Sequence, residues 1–532
     1  MRHAELGTTL AVGLLLAGGH ARAAQWWVEQ AADTGGNGSQ ERPFRTLNEA
    51  RDVVQTGDTV WVRDGTYEET VDFWHVPEGS GARTTIAAEP GHAPVIDGGG
   101  ASGFVIQAGE TPNMTFRGLT VRNGDTAFSF YYSDGGEVID CTTEAVGGAI
   151  SFYHASQGYV SGSKLEGSVA GKESEGTIIE DNEIFGSRAE GITLHADSRN
   201  CRYSRNVVHD NTSVNIYLDS ISHTLVESNL VFMSETSSET TVGIMLADES
   251  YENVTAPVLT DITIINNVVI NNESGIRFWD GHFAGESAMR NVVIANNTVI
   301  NNRTTAIKWD AGPHDAVVRN NIFAAVAGAE LLLLQANSTA GVSLDHNLWY
   351  LPDVESPFLW DGTTYDHAGW ANATGHGEGD VNAAPDFVGP WTLPVENLQL
   401  EAGSPAVDSG TAVPEVTDDF SGGERPSGSS HDLGAFEYGA EPAEGRGPGA
   451  AGGPATDRAT GGADSSSGSG GRDAHDAKGD DDGERGCGCR VLPRRGGRRA
   501  APAWVAFALG LLCLRRRRTT QSRPDSRSHL SR

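Results

Sequence analysis

An asparagine that recurs at one position of a repeated unit constrains the fold of this chain more than any other feature. Between residues 178 and 350 an asparagine precedes an apolar pair or an apolar-x-apolar step, at spacings of 23 to 38 residues. The positions are Asn182, Asn206, Asn229, Asn267, Asn297, Asn321 and Asn347. Spacings of this size are typical of solenoids. Asparagines stacked at one turn can hydrogen-bond from coil to coil, so the repeat predicts an asparagine ladder.

A second recurring segment supplies the strands between these turns. It reads GITLHAD, NIYLDS, GIMLAD, GIRFWD and AIKWDA in successive units. Apolar and polar residues alternate with a period of two, and no helical period is sustained. The unit is therefore strand, turn, strand, turn. We predict an all-β fold, a right-handed parallel β-helix.

The N-terminal part predicts a helix that caps the open end of the solenoid. Thr46 stands at the N-cap position, and Glu49 follows three residues later, which is the capping-box pattern. The residues expected on the apolar face of this helix are Leu47, Ala50, Val53 and Val54.

The two ends of the chain read as targeting segments around this domain. Residues 1–23 have an early arginine, an apolar stretch and an Ala-Arg-Ala sequence, which predicts a signal peptide and a secreted protein. Residues 24–438 form the predicted β-helix domain, and residues 439–485 a Gly-, Ser- and Asp-rich disordered linker. A sorting segment is predicted at 486–518, with a basic tail at 519–532.

The sorting segment resembles the C-terminal signals of myxobacterial surface proteins. It contains GCGC at 486–489, a short apolar run at 501–514 and four arginines at 515–518. The resemblance implies a membrane or lipid anchor, through Cys487 or Cys489, at the cell surface or outer membrane. The arginines also fit a stop-transfer signal.

Four further segments resemble the opening and closing parts of secreted β-helix proteins. They are SQERPFRTLNEA, GDTVWVRDGTYEE, GSPAVDSGT and HDLGAFEYG. These motifs are similar to those of the pectate-lyase-like superfamily, over nearly all of residues 24–438. The superfamily contains polysaccharide lyases, glycosidases and polymer epimerases, so the resemblance implies this fold and raises the expectation of a carbohydrate ligand.

Net charge restricts the partners of the chain. The formal charge is −33, which argues against nucleic acid. An acidic polymer would therefore need local cations or a bridging metal. We expect a monomer whose partner is a polysaccharide, and the residues described next favour an acidic one.

Aligning the second strand of each unit predicts columns of side chains that point outward. One column contains Thr193, Tyr217, Met245, Arg277 and Lys308; its neighbour contains His195, Asp219, Ala247, Trp279 and Asp310. Arg277 and Lys308 should therefore be adjacent, about 4.8 Å apart along the solenoid axis. Two like charges this close are unfavourable unless Asp310, Asp280 or an anionic ligand compensates them.

The superfamily resemblance suggests roles for these residues in β-elimination on a uronate polymer. Lys308 would act as the base, Arg277 would hold the substrate carboxylate, and Asp310 would complete the catalytic group. Trp279, Tyr217 and His195 would contact the sugar. Asp219, Asp248 and Asp280 would supply oxygen ligands to calcium.

Other interpretations stay open from sequence alone. The charged residues are also consistent with a surface ion network, and the protein with a non-catalytic glycan-binding or adhesive solenoid. GPHD at 312–315 faintly resembles a motif of polymer epimerases of this fold. Hydrolysis by paired carboxylates is disfavoured, since Asp219 and Asp310 would lie about 14 Å apart.

Overall fold

The computed structural model describes most of the predicted β-helix domain. Its described ranges are 23–234, 241–249, 259–279, 289–310, 313–326, 329–334 and 341–443. The predicted signal peptide up to residue 22 and the chain beyond residue 443 lie outside these ranges. Within them, no helix combines the length and apolar character needed to cross a membrane.

The domain is a right-handed parallel β-helix, as predicted. Each coil adds one strand to a first sheet, then a short strand to a second sheet, then a strand to a third sheet. Neighbouring strands of successive coils are parallel throughout these three sheets.

The strands have the following bounds. The first sheet contains Gln25–Val28, Thr59–Val62, Thr84–Ala88, Met114–Arg117, Glu137–Ile139, Tyr159–Ser161, Ile178–Glu180, Arg202–Ser204, Ser222–Glu227, Thr260–Ile265, Arg290–Ala295, His314–Arg319 and Ser343–Asp345. The second sheet contains Thr66–Glu68, Lys164–Glu166, Glu183–Phe185, Val207–His209, Leu230–Phe232, Val268–Ile270, Thr298–Ile300, Ile322–Ala324 and Leu348–Tyr350. The third sheet contains Val71–Trp74, Ser168–Lys172, Glu190–His195, Val214–Asp219, Val242–Ala247, Ser274–Trp279, Thr305–Trp309, Glu330–Leu334 and Phe358–Trp360. Three long strands pass through both the second and third sheets: Val95–Gly109, Thr120–Tyr131 and Thr142–Tyr153.

The predicted asparagine ladder lies at the turn between the first and second sheets. From Asn182 to Asn321, each backbone N–H donates to the side-chain oxygen of the next asparagine, at 2.9–3.2 Å. The ladder ends where the Asn347 N–H donates to Asp380 Oδ1 at 2.8 Å. A second, shorter run was not predicted: Asn215, Asn272 and Asn302 are linked through their side chains at the turn into the third sheet.

The N-terminal helix, α1, spans Leu47–Arg51 and has the predicted capping box. Leu47, Ala50 and Val54 join the core, as expected. The prediction for Val53 is wrong, because this side chain is exposed. The helix ends at Arg51, so the helical spacing no longer applies at Val53.

The C-terminal end of the interior is closed by a second helix. Thr363–Tyr365 pairs antiparallel with Phe358–Trp360, and α2 follows at His367–Thr374. Trp370 of α2 is fully buried, and its ring stacks on Phe358 with centroids 4.9 Å apart. A 3₁₀ helix at Val395–Leu398 continues the chain.

The segment 385–443, here named the strap, then runs back over the second sheet. Its apolar residues pack on that sheet, and examples are Phe387, Leu398, Leu433 and Phe436. Asparagines of the β-helix bind strap carbonyls: Asn301 to Trp391, Asn320 to Thr411, Asn266 to Asp418 and Asn296 to Asp432, at 2.7–3.0 Å. The strap therefore joins several coils at once.

Candidate functional site

The outward columns of the third sheet have the predicted register. Thr193 pairs with Tyr217, Tyr217 with Met245, Met245 with Arg277, and Arg277 with Lys308. The alternate residues, such as Ile276 and Ile307, are fully buried in the interior. Successive coils thus bring Arg277 and Lys308 side by side on the outer face.

Asp310 bridges these two cations. Its Oδ2 accepts a hydrogen bond from Arg277 Nε at 2.5 Å, and its Oδ1 lies 3.1 Å from Lys308 Nζ. The three side chains are 16–28% exposed. One carboxylate balances one of two positive charges, so this group, here named the cationic strip, has one excess positive charge. It can bind a carboxylate through an Arg fork and a Lys point charge.

Trp279 lies beside the cationic strip. It is half-buried and packs against a small apolar cluster on the outer face, formed by Val214, Tyr217, Val242, Met245 and Ala247. Tyr217 is only 6% exposed, and its hydroxyl donates to Glu249 Oε1 at 2.6 Å. The aromatic neighbours of the cations are therefore held in place by packing and, for Tyr217, by a hydrogen bond.

Two of the three aspartates predicted to bind calcium, Asp219 and Asp248, are buried and hold backbone groups. Asp219 Oδ1 accepts hydrogen bonds from Ser220 Oγ at 3.1 Å and from the Glu249 N–H at 3.0 Å. Asp248 Oδ1 accepts from the Leu259 N–H at 2.8 Å. Asp280 lies outside the described residues. The described part of the chain contains no group of three His, Cys, Asp or Glu side chains that could hold a metal. Asp219 and Asp248 alone do not make up a calcium site, because calcium takes six to eight oxygen ligands and the Oδ1 atom of each already binds main-chain or hydroxyl donors.

His195 occupies the same column as Trp279, three coils towards the N-terminus. Burial, with the positive charge of Lys172 from the preceding coil, lowers its pKa to about 4. The imidazole is therefore neutral at neutral pH, when it can donate through one ring nitrogen and accept through the other.

Two carboxylates near Tyr217 were not predicted from the sequence. The Glu249 backbone is fixed by Asp219 and by Ser220, whose hydroxyl donates to the Glu249 carbonyl at 2.8 Å. Burial, and then the negative charge of Glu249, raises the pKa of Glu190. Glu190 pairs in register with Val214, but it lies three residues before Thr193, so the strict alternation used for the columns would have pointed it inward.

Comparison with known proteins supports the fold. A family model described as "Right handed beta helix region" matches residues 165–323. No curated protein matches the chain. Among solved structures, pectate lyase Pel9A is 16% identical, with a TM-score of 0.46 over 79% of this chain and 97% of that chain. A complex of XylC with xylose is 12% identical, with a TM-score of 0.46 over 79% and 99%.

A third similar structure is the A-module of the Azotobacter vinelandii mannuronan C-5 epimerase AlgE6. It is 14% identical, with a TM-score of 0.45 over 64% of this chain and 94% of that chain. At these identities the likeness concerns the fold alone. The chemistry of this chain therefore has to be argued from its own residues.

Proposed function

We propose that the chain binds an acidic polysaccharide along the outer face of the third sheet and cleaves it by β-elimination. The observation that carries this proposal is the cationic strip. Adjacent coils place Arg277 and Lys308 together, with Trp279 at their side, on a protein of formal charge −33. The net negative charge of the protein repels a polyanion, whereas this local cation pair attracts it.

Each residue of the strip has a part in the proposed reaction. Arg277 holds the uronate carboxylate and stabilises the enolate-like charge that develops on it. Lys308 removes the proton on the carbon next to that carboxylate. A carbon–carbon double bond then forms as the bond to the glycosidic oxygen breaks, and that oxygen takes a proton as it leaves. Asp310 positions the two cations.

No step is assigned to calcium. Asp219 and Asp248 do not fit a calcium site by themselves, and the predicted third ligand, Asp280, lies outside the described residues.

One observation favours a second function, a non-catalytic glycan-binding module. Lys308 Nζ is already held in an ion pair with Asp310 at 3.1 Å, a contact that a purely electrostatic binding site would also make. The cationic strip would then attract the polymer without cleaving it.

The test separates binding from cleavage. The full chain is incubated with polygalacturonate, alginate and heparosan, with calcium or with a chelator. Ultraviolet absorbance of the unsaturated sugar reports elimination, and affinity electrophoresis reports binding. Lys308→Ala should abolish the absorbance signal. The control is Lys164→Ala, which removes a lysine paired with Glu183 on the second sheet and should change neither readout.

Each outcome has one meaning. Cleavage lost in Lys308→Ala and kept in Lys164→Ala supports the lyase. Binding that needs Arg277 and Lys308, without any double bond, supports the glycan-binding module. No binding to any of the three polymers contradicts both functions.

We further propose export and attachment at the cell surface, as the predicted signal peptide and sorting segment require. Cell fractionation tests this, and a protein found only in the cytoplasm contradicts it.

A further inference from the structure

A short sequence motif recurs at the N-terminal end of the third sheet. It reads DFWH at 72–75, SFYY at 129–132 and SFYH at 151–154. In each copy the phenylalanine is buried in the interior. The following aromatic residue is Trp74, Tyr131 or Tyr153, and it therefore points outward, because side chains alternate along a strand.

These outward residues form one contiguous aromatic strip with Tyr132 and His154. The rings of Tyr131 and Tyr153 are stacked with centroids 5.3 Å apart, and those of Tyr132 and His154 with centroids 4.7 Å apart. The ring of Trp74 reaches to within 5.8 Å of the Tyr131 ring centroid.

Trp74 crosses the intervening coil because Gly109 stands there. A Cβ atom on Gly109 would lie 2.1 Å from the Trp74 ring, so only glycine leaves room for this contact. The coil between Trp74 and Tyr131 therefore has no side chain at Gly109, which leaves space for the Trp74 ring.

The strip is exposed and conformationally costly, which argues against a role in packing alone. Trp74 is 40% and Tyr132 50% exposed. Tyr132 and His154 have positive φ angles of 48°, a region that bulky residues rarely adopt. Glu110, Ala196 and Ser220 have similar positive φ angles after the same sheet. Small or polar residues are therefore tolerated at such corners, and the two aromatic rings are not required by the turn.

The aromatic strip and Trp279, which lies beside the cationic strip, belong to one column of the third sheet, with the buried Asp219 and Ala247 between them. In order of strand pairing, this column reads Trp74, Gly109, Tyr131, Tyr153, Lys172, His195, Asp219, Ala247 and Trp279. Eight coil steps at about 4.8 Å each separate Trp74 from Trp279, or about 38 Å. A polymer lying along this column would contact both strips, whereas a trisaccharide is too short to do so.

We infer that the aromatic strip is a remote binding site for the same saccharide chain that occupies the cationic strip. This inference rests on the proposed function. The ring faces of the tyrosines cover one another, so the strip offers a rigid row of ring edges and hydroxyl groups, with the indole of Trp74 at its end. Rigid aromatic side chains contribute contact area at low entropic cost.

The charges near the strip favour a chain of sugars over an acidic patch on a protein. Glu110 pairs with His75 at 3.3 Å, and Glu173 pairs with His154 at 3.0 Å. Lys172 Nζ lies 6.0 Å from the Tyr153 ring centroid. The aromatic strip thus has no cation pair like Arg277 and Lys308, and it would recognise the hydroxyl groups and CH faces of the sugar rings.

The experiment compares a long polymer with a short oligosaccharide. Binding of the full chain to polygalacturonate, alginate and heparosan, and to the trisaccharide of each, is measured by calorimetry. Trp74→Ala and Tyr132→Ala should each weaken polymer binding about fivefold to tenfold and leave trisaccharide binding unchanged. Gly109→Ala should weaken polymer binding as well, because its methyl group displaces the Trp74 ring while keeping every aromatic residue.

Tyr438→Ala is the matched control, because Tyr438 is 44% exposed and lies in the strap. It should bind polymer and trisaccharide like the wild type, and thermal unfolding should be unchanged in all four variants. Polymer affinity that is unchanged in both Trp74→Ala and Tyr132→Ala overturns the inference, as does an equal loss for polymer and trisaccharide.

The outcome for the aromatic strip is distinguishable from that for the proposed function. If Lys308→Ala and Arg277→Ala leave polymer binding intact but Trp74→Ala weakens it, the cationic strip is wrongly assigned. If the reverse holds, the aromatic strip is wrongly assigned. A wild-type protein that binds none of the three polymers contradicts both.

Discussion

Replacing one asparagine of the ladder should destabilise the domain far more than the small number of atoms removed would suggest. Asn267 is fully buried, and its Nδ2 donates to Val226 O, Ile265 O and Asn297 Oδ1 at 2.9–3.0 Å. Its Oδ1 accepts from Asn229 N and Asn229 Nδ2 at 2.9 and 3.0 Å. Asn267→Ala removes all five hydrogen bonds together.

The size of the effect follows from the groups that are left behind. The backbone N–H of Asn229 loses its acceptor in the interior, which costs about 1–3 kcal/mol. The other lost hydrogen bonds cost about 0.5–1.5 kcal/mol each, partly offset where a group has a second partner. We expect the free energy of unfolding to fall by about 3–5 kcal/mol, a large part of the 5–15 kcal/mol that is typical of a domain.

Equilibrium urea denaturation, followed by circular dichroism, measures this loss. Asn372→Ala is the control, because Asn372 is exposed in α2, where alanine is a favourable residue. The control should change the stability by no more than about 0.5 kcal/mol. If Asn267→Ala lowers the free energy of unfolding by less than about 1 kcal/mol, the ladder does not make a major contribution to the stability of the stacked coils.

Three further predictions concern charge. Burial and the Glu437 carboxylate raise the pKa of Asp432 to about 6, so the folded state keeps a proton that the unfolded state releases. Stability should therefore fall as pH rises from about 4 to about 6. In Asp432→Asn, the midpoint of urea unfolding should lose this part of its pH dependence. A pH profile identical to that of the wild type would contradict the raised pKa of Asp432. The ring of His195, with a pKa of about 4, should stay neutral at pH 5 in an NMR titration, and a midpoint near the ordinary value of about 6.5 would contradict its burial. Asp310→Asn removes the counterion shared by Arg277 and Lys308, so affinity for polygalacturonate should rise several-fold and become more salt-dependent. Weaker binding would show that positioning of the two cations by Asp310 outweighs the charge that it cancels.

The repeat made the fold and the columns predictable. Because the third-sheet strands repeat an inward isoleucine followed by an outward residue, the adjacency of Arg277 and Lys308 could be read from alignment alone. Asp310 was one of three groups that the sequence allowed to compensate these charges, but the choice among them depends on side-chain conformations that the strand period does not specify. The burial of Asp219 was also unpredictable, because it follows from the turn at Glu249.

The aromatic strip was missed for a different reason. The asparagine repeat does not extend into the N-terminal coils, because the first asparagine of the ladder is Asn182. In the preceding coils the same ladder position is occupied by Ser163 and Cys141, whose N–H donates to Ser163 Oγ at 3.0 Å. A search for repeated Phe-aromatic pairs, such as those at 73–74, 130–131 and 152–153, would have extended the alignment to the N-terminal coils.

The strap gives the two halves of the solenoid different cooperativity. In a repeat protein each coil is stabilised by its immediate neighbours, so unfolding can begin at an end and spread. Asn266, Asn296 and Asn320 belong to consecutive coils, and all three bind carbonyls of the strap. Opening any of these coils therefore also disrupts contacts made by the others. The coils that carry Arg277 and Lys308 lie in this jointly stabilised half, while those that carry Trp74 and Tyr131 depend on nearest-neighbour contacts and should exchange their amide hydrogens first.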